Sequence, residues 1–181
     1  METEKKIIGT CPVCGGNVVK TCKGYRCEHN IGENPTCNFT IHGILGNRKM
    51  NDTEIATLLA EKRILLDGFA TKEGKTFTTI LVLGADGTVN MDSTVARCPL
   101  CGGEIRVGAK SFSCANFRRE EAPCNFGIWR NIGGHLLTEE EVREICEKGI
   151  TAAELDMFRD DGSIYRKRLG LSPDKTQIVK I

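Results

Sequence analysis

The chain has 181 residues, ten of them cysteine, and its 25 basic and 24 acidic side chains leave a formal net charge of +1. This length suits one ordinary domain or two small ones. The longest apolar run, residues 80–83, is far shorter than the roughly 20 residues that cross a bilayer, and the opening METEKK is unlike a secretory signal. We therefore expect a soluble, cytoplasmic protein with no membrane partner, whose cysteines bind metal rather than form disulfides.

The sequence repeats itself from position 11 to position 98. CPVCGGNVVKTCKGYRCEHNIGENPTCNFTI aligns without a gap onto CPLCGGEIRVGAKSFSCANFRREEAPCNFGI. Four cysteines coincide in the two copies: Cys11, Cys14, Cys27 and Cys37 in the first, and Cys98, Cys101, Cys114 and Cys124 in the second. Cys22 and Cys146 have no counterpart, and we expect both to be small, partly buried thiols.

Each set of four has the spacing of a structural zinc site. Two cysteines separated by two residues reach one ion from a tight turn, where proline presets φ and the glycines let backbone N–H groups approach the thiolates. We predict two structural Zn2+ ions. Three alternatives are weaker. A catalytic zinc site needs an open coordination position and a general base, and a redox Cys-x-x-Cys pair would leave Cys27 and Cys37 unexplained. The third alternative is that His29 replaces one cysteine as a zinc ligand.

Charge alternates along the chain. Residues 11–50 carry five basic and two acidic groups and residues 51–97 carry five and seven, whereas residues 98–137 carry five and three and residues 138–181 carry eight and ten. The cysteine-rich segments are thus the basic ones, although a zinc ion with four thiolates adds −2 to each. Attraction of a polyanion is therefore local, and weaker than the attraction exerted by the basic stripe of a dedicated DNA binder.

A short helix and a small sheet are predicted after each cysteine segment. Asn51 with Glu54, and Thr138 with Glu141, form capping boxes. Apolar residues at helical spacing then define one buried face in each helix: Ile55, Leu58 and Leu59, and Val142, Ile145 and Cys146. Gly149 ends the second helix. About three strands follow, with turns at 71–75 and 85–87.

The predicted fold class is small α+β, with two tandem zinc-binding repeats. Each is a four-cysteine zinc ribbon followed by a helix and a short antiparallel sheet. The predicted segments are a tail at 1–10, the first ribbon at 11–50, its helix and sheet at 51–97, the second ribbon at 98–137, and its helix and sheet at 138–181. A ribbon of about 40 residues buries too little apolar area to fold without its metal.

These motifs resemble the C-terminal repeat region of bacterial type IA DNA topoisomerases, topoisomerase III-like enzymes in particular. CPLCGGEI, CNFGIWRNIGGHLLTEEEV and the segment 68–77 carry the resemblance, which covers nearly the whole chain twice. It implies accessory modules that hold single-stranded DNA, and related ribbons also contact proteins. The chain departs from the pattern at His42, where the second copy has Trp129. Its 181 residues leave no room for a catalytic core, and neither Tyr25 nor Tyr165 is a credible nucleophile.

Aromatic rings beside cations suit the binding of single strands, because bases stack and phosphates pair. The candidates are Phe117, Arg118, Arg119, Trp129, Arg130, Phe112, Tyr25, Arg26, Lys23 and Lys20. Aromatic positions shared by the two copies are most simply core, with Tyr25 and Phe112 the expected exception because a ribbon has little interior. The change from Trp129 to His42 predicts that the second copy binds more tightly.

The predicted function is that of a non-catalytic, zinc-dependent accessory module that prefers single-stranded DNA and acts with a topoisomerase or polymerase. No small-molecule substrate is expected. The alternative is a zinc-ribbon scaffold that docks on a topoisomerase, a polymerase or another DNA-processing protein. An enzyme of another type is the weakest hypothesis, since no cluster of His, Asp, Glu or Ser recurs.

Overall fold

The computed structural model describes residues 6–117, 120–121 and 123–181, and the chain divides into two compact units, Met1–Asp92 and Ser93–Ile181. Each unit opens with a four-stranded antiparallel sheet that carries the cysteines. A helix of ten residues follows, and further short strands complete the unit. Within the described ranges, no helix is long and apolar enough to cross a membrane.

The first unit contains nine strands and one α-helix within the described residues. The elements are β1 (Ile7–Thr10), β2 (Asn17–Thr21), β3 (Gly24–Cys27), β4 (Thr40–His42), β5 (Ile44–Leu45), β6 (Arg48–Lys49), α1 (Asp52–Glu61), β7 (Arg63–Ala70), β8 (Thr76–Leu83) and β9 (Val89–Asp92). Strands β1 to β4 pair in chain order, and we call them ribbon sheet 1. Strands β7, β8 and β9 form a separate three-stranded sheet with β8 in the middle.

The second unit begins in the same way and ends differently. Its elements are β10 (Thr94–Arg97), β11 (Glu104–Val107), β12 (Ser111–Cys114), β13 (Gly127–Trp129), β14 (Asn131–Ile132), β15 (His135–Leu136), α2 (Glu139–Lys148), β16 (Leu155–Phe158), β17 (Ile164–Lys167), β18 (Leu169–Leu171) and β19 (Ile178–Lys180). Strands β10 to β13 form ribbon sheet 2. Two separate hairpins, β16–β17 and β18–β19, replace the three-stranded sheet of the first unit.

Two predicted boundaries are wrong by one strand. The segment 1–10 was expected to be a tail, yet β1 pairs with β2, with Thr10 opposite Asn17. Likewise β10, expected to end the first sheet, pairs with β11, with Arg97 opposite Glu104. The strand before the first cysteine of each set therefore belongs to the ribbon. Each pairing is a local hairpin across the cysteine turn. The cysteine pattern begins at the first ligand, so it gave no sign of the strand before it.

Both helices begin as their sequences predict, and the second also ends as predicted. The side chains of Asn51 and Thr138 accept hydrogen bonds from the backbone N–H three residues on. The carboxylates of Glu54 and Glu141 accept in turn from the backbone N–H of the cap residue, so both capping boxes are confirmed. The buried helical residues are those predicted: Ile55, Leu58, Leu59, Val142, Ile145 and Cys146. Gly149 ends α2 in the left-handed region at φ 81°, as predicted.

The second unit lacks a three-stranded sheet because no strand in it can occupy the middle. In the first unit β8 is buried almost throughout and contains Ile80 and Leu81, both fully buried. Its counterpart β17 is exposed at Ile164, Arg166 and Lys167. A central strand pairs on both edges and is largely buried, so it needs apolar side chains. The charged and exposed side chains of β17 do not suit that position.

Two short hairpins, β5–β6 and β14–β15, were not predicted. Gly46 and Asn47 have φ of 50° and 57°, and Gly133 and Gly134 have φ of 59° and 79°. Two consecutive residues with positive φ make a type I′ turn, which favours Gly and Asn. The pairs GN and GG were the available signal, but the flanking strands are only two residues long.

The core of each unit lies between its ribbon sheet and its helix. In the first unit, α1 packs on β1 so closely that a Cβ at Gly9 would lie 2.9 Å from Leu59 Cδ1. Tyr25, Phe39 and Ile55 belong to one continuous buried cluster there. The helix therefore provides the ribbon with an interior, and each fully buried large apolar side chain contributes about 1.5–3 kcal/mol relative to exposure.

Candidate metal centres and nucleic-acid interface

The first cysteine pair of each set sits in a tight turn of identical geometry. The Cys11 N–H donates to Gly16 O at 2.7 Å and the Gly15 N–H donates to Cys11 O at 3.0 Å. In the second unit the corresponding distances, from Cys98 N to Gly103 O and from Gly102 N to Cys98 O, are 2.7 and 2.9 Å. Gly15 and Gly102 have φ of 76° and 72°, a conformation that residues with a Cβ adopt rarely.

The eight predicted cysteines form two clusters, and within each cluster the four sulfur atoms all lie within 4.8 Å of one another. The Sγ–Sγ distances are 3.8 Å for Cys11–Cys37 and 3.4 Å for Cys14–Cys27. In the second cluster they are 3.6 Å for Cys98–Cys124 and 3.4 Å for Cys101–Cys114. These distances are far too long for disulfides. A tetrahedron with Zn–S bonds of about 2.3 Å has edges of about 3.8 Å, so both clusters fit Zn2+.

The thiols of each cluster have unequal acidity. The Gly16 N–H lowers the pKa of Cys14 to about 6, and the Gly103 N–H lowers that of Cys101 to about 6. Burial raises the pKa of Cys27 and of Cys114 to about 12. A buried thiolate is costly without a nearby positive charge, and a bound dication supplies that charge. The predicted cofactor is therefore confirmed in kind: two four-cysteine clusters suited to two zinc ions.

A polar side chain contacts the exposed cysteine of each cluster. His29 Nδ1 lies 3.4 Å from Cys14 Sγ, and Asn116 Nδ2 lies 3.5 Å from Cys101 Sγ. The two side chains occupy the same position in the aligned copies. His29 thus stands beside a complete set of four cysteines rather than replacing one of them. Hydrogen bonds of this kind orient and tune metal ligands. Asn116 was not singled out from the sequence, although its alignment with His29 was a usable signal.

Two of the predicted stacking residues are exposed. Trp129 is 67% exposed at the end of β13, and Phe117 is 47% exposed after β12. Both rings lie in the second unit, on or next to ribbon sheet 2. Arg118 and Arg119, which were expected to act beside Phe117, lie outside the described residues.

Three other candidates are corrected by their burial. Tyr25 and Phe112 are 2% and 0% exposed, because α1 and α2 cover the sheets that carry them. A ring enclosed in the core offers no face to a base. Arg130 is only 4% exposed, and its Nη1 donates to Ala109 O at 3.3 Å, so its guanidinium is held inside the second unit.

The three predicted cations of the first unit, Lys20, Lys23 and Arg26, differ from one another in exposure and in ion pairing. Lys20 pairs with Asp52 at 2.7 Å, and the Tyr25 hydroxyl donates to the same carboxylate at 2.9 Å. Lys20 and Lys6 together hold the pKa of Asp52 well below its usual range. Lys23 is exposed in the turn between β2 and β3, and Arg26 is half-buried on β3. Asp52, the first residue of α1, was not singled out from the sequence.

The two unpaired cysteines differ. Cys146 is 9% exposed on the inner face of α2, which agrees with the predicted buried thiol. Cys22, in contrast, is exposed. It occupies the turn between β2 and β3, where the chain reverses on the surface.

Comparison with known proteins supports the resemblance read from the motifs. The chain is 25% identical over 157 residues to DNA topoisomerase 1 of Bacillus anthracis, an alignment that covers 82% of this chain and 17% of the length of that relative. No solved structure gives a significant match. The more specific likeness to topoisomerase III-like enzymes stays a prediction. Residues 36–92, from the residue before the last cysteine of the first cluster to the end of β9, match the family described as the C-terminal repeat of topoisomerase.

Proposed function

We propose that this chain is a non-catalytic, zinc-dependent module that binds single-stranded DNA in support of a DNA-processing enzyme such as a topoisomerase. We also propose that each unit is one copy of a repeat built from a zinc ribbon, a helix and a small sheet. The observation that carries the proposal is Trp129, a large ring that is 67% exposed on a ribbon sheet. The similarity to a topoisomerase C-terminal repeat supports DNA as the ligand.

The position of Trp129 suits stacking. Strand β13 buries Ile128 and exposes Gly127 and Trp129, so the ring stands on the outer face of ribbon sheet 2. Trp129 lies opposite Ser111, whose small side chain leaves room beside the ring. Stacking of one base on an aromatic side chain contributes about 1–3 kcal/mol and tolerates any base. We therefore expect binding with little sequence preference.

The cysteine cluster of the second unit cross-links the strands of the ribbon sheet that carries Trp129. When bound, Zn2+ supplies structural cross-linking and no reaction chemistry at a closed four-cysteine site. In the second unit, Cys98 and Cys101 belong to the turn between β10 and β11, while Cys114 ends β12 and Cys124 precedes β13. The cluster thus ties Trp129 to the rest of the ribbon.

The first experiment measures the anisotropy of a labelled oligothymidine titrated with zinc-loaded protein at two salt concentrations. Affinity should fall with salt with a log–log slope of about −0.7 per phosphate neutralised. Trp129 is the chain's single tryptophan, so its fluorescence should be quenched in parallel. Trp129→Ala should weaken binding about five- to 150-fold, the equivalent of one stacked base.

Leu136→Ala is the matched control, because Leu136 is 55% exposed in the same unit and lacks a ring. Its affinity for the oligonucleotide should equal that of the unmodified chain. No binding at low salt by the zinc-loaded chain would overturn the proposal.

A protein-docking role is the second candidate. Leu136 and Phe158 are 55% and 47% exposed, and both line a shallow cavity of about 670 Å3 in the second unit. Exposed apolar residues that share one depression are typical of a protein contact. Binding of a topoisomerase core that persists at high salt, and is lost in Phe158→Ala, would favour this function over DNA binding.

A further inference from the structure

An open groove of about 730 Å3 lies on the first unit, on the side of ribbon sheet 1 where β3 meets β4. Its lining includes Lys20, Cys22, Lys23, His42, Gly43 and Lys49. This volume falls within the range of about 300–1,000 Å3 typical of sites for small ligands. Neither the metal clusters nor the stacking residues of the second unit use this groove.

The groove is open because of one residue, Gly43. In the aligned copies Gly43 corresponds to Arg130, and the backbone of the two positions is the same. The Gly43 N–H donates to Lys23 O at 3.2 Å and Gly43 O accepts from Met50 N at 2.9 Å. The Arg130 N–H donates to Lys110 O at 3.0 Å and Arg130 O accepts from Leu137 N at 2.7 Å. Only the side chain differs.

In the second unit that side chain occupies the corresponding space. Arg130 is 4% exposed, and its guanidinium donates to the carbonyl of Ala109, which corresponds to Cys22 in the first unit. A flat group with N–H donors therefore fits this place in the fold. The first unit has the corresponding space, but Gly43 has no side chain to fill it.

The residues around the groove indicate what enters it. Lys20, His42 and Lys49 of the first unit correspond to Val107, Trp129 and Leu136 of the second. Among the described residues, no carboxylate pairs with Lys23 or Lys49. A free arginine side chain would be repelled by these lysines, whereas a flat group attached to an anion would be attracted.

We propose that the groove of the first unit binds one nucleobase of a single strand, with the flanking phosphates at Lys23 and Lys49. A base is flat and carries N–H donors at its edge, as the guanidinium of Arg130 does. The proposal rests on the proposed single-strand binding and adds a second, different contact to it. The second unit holds a base on the exposed ring of Trp129. The first unit holds a base in the groove that Gly43 leaves open.

The first test closes the groove by Gly43→Arg, which reproduces the residue of the second unit. Gly43 tolerates a side chain, because an added Cβ would lie 3.4 Å from its nearest neighbour, Gly24 Cα, and the backbone has no positive φ. An added positive charge alone would strengthen DNA binding. Closing the groove should instead weaken oligothymidine binding by at least about fivefold. Gly43→Ala, which leaves the groove open, should bind as the unmodified chain does.

The second test uses Cys22 as a reporter. It lines the groove and is exposed, whereas Cys146 is buried and the other eight cysteines belong to the clusters. Saturating oligothymidine should slow maleimide labelling of Cys22 in the zinc-loaded chain by about tenfold or more, the expected protection of a site that is occupied most of the time. An abasic oligonucleotide of the same length, at saturation, should not protect it.

The outcomes separate this inference from the proposed function. If oligothymidine binds with an affinity that depends on Trp129, but Cys22 labels at an unchanged rate and Gly43→Arg binds equally well, the groove is not a base site and the proposed function stands. Equal protection by the abasic strand would also overturn the inference, because the phosphates alone would then explain it. No binding of any single strand would overturn both.

Discussion

Individual aromatic residues in this chain have roles that depend on burial rather than on residue type. Tyr25 and Phe112 were expected to be accessible because a ribbon has little interior, yet both are core residues of their units. Phe158, although aligned with the fully buried Phe69 after a small shift, is 47% exposed. The repeat therefore conserves the aromatic core of the ribbons more closely than that of the segments after the helices.

Phe112→Ala and Trp129→Ala should separate stability from binding. Phe112 is fully buried, so its truncation should lower the free energy of unfolding by about 3–5 kcal/mol. Trp129 is mostly exposed, and its truncation should change that free energy by about 0.5 kcal/mol or less. Urea unfolding of the zinc-loaded variants, followed by circular dichroism, measures both values. Equal destabilisation would mean that the Trp129 ring is packed in the core.

At the scale of the element, the two helices are equivalent in their starts and different in their ends. Both begin with a capping box, which satisfies free N–H groups at the first turn. The first ends on Lys62 at φ 62°, and the second ends at the aligned position on Gly149 at φ 81°. A residue with a Cβ is strained in this conformation, and glycine is not.

Lys62→Gly should therefore raise the stability of the first unit by about 1 kcal/mol, since it relieves the strain at the end of α1. The gain is reduced by loss of the bond from Lys62 Nζ to Leu59 O, a contact of 2.6 Å near the surface. The reverse substitution, Gly149→Lys, should destabilise the second unit by a similar amount. Thermal unfolding of both zinc-loaded variants provides the comparison, and a Gly149→Lys variant as stable as the unmodified chain would contradict the argument.

At the scale of the whole molecule, two compact units each depend on one cysteine cluster. Structural zinc sites in small peptides provide about 10–16 kcal/mol of apparent binding free energy near neutral pH. Typical domains are stable by only about 5–15 kcal/mol. The binding free energy of the metal is thus as large as the whole net stability of a typical domain, so loss of the metal should unfold the unit.

Removal of zinc by a strong chelator should unfold the ribbon sheets at neutral pH. Circular dichroism and Trp129 fluorescence should change together, and added Zn2+ should reverse both changes under reducing conditions. Magnesium added to the chelated protein is the control and should restore neither signal, because thiolates prefer soft or borderline ions. Retention of the folded spectrum after complete metal removal would contradict the structural role.

The two clusters should also contribute unequally to binding. Cys14→Ser and Cys101→Ser are matched variants of the aligned exposed ligands, and each should leave about one zinc ion per chain by metal analysis. Because Trp129 lies in the second unit, Cys101→Ser should weaken oligothymidine binding more than Cys14→Ser. Equal losses would contradict the expectation that the second unit binds more tightly.

Features that depend on local chemistry were predictable from the sequence. Four cysteines at one spacing in two aligned copies identified both clusters, because a tight turn places the first pair without help from the rest of the fold. The capping boxes and the buried faces of the helices were predictable for the same reason, since their partners lie three or four residues apart.

Which rings and cations remain accessible depends on the packing of distant segments. Tyr25 is buried because a helix that starts 27 positions later covers it, and Arg130 turns inward to the carbonyl of Ala109. The groove left open by Gly43 likewise depends on the pairing of β3 with β4, two strands that are distant in sequence. Burial is a property of what packs on a residue, and a local pattern does not contain that information.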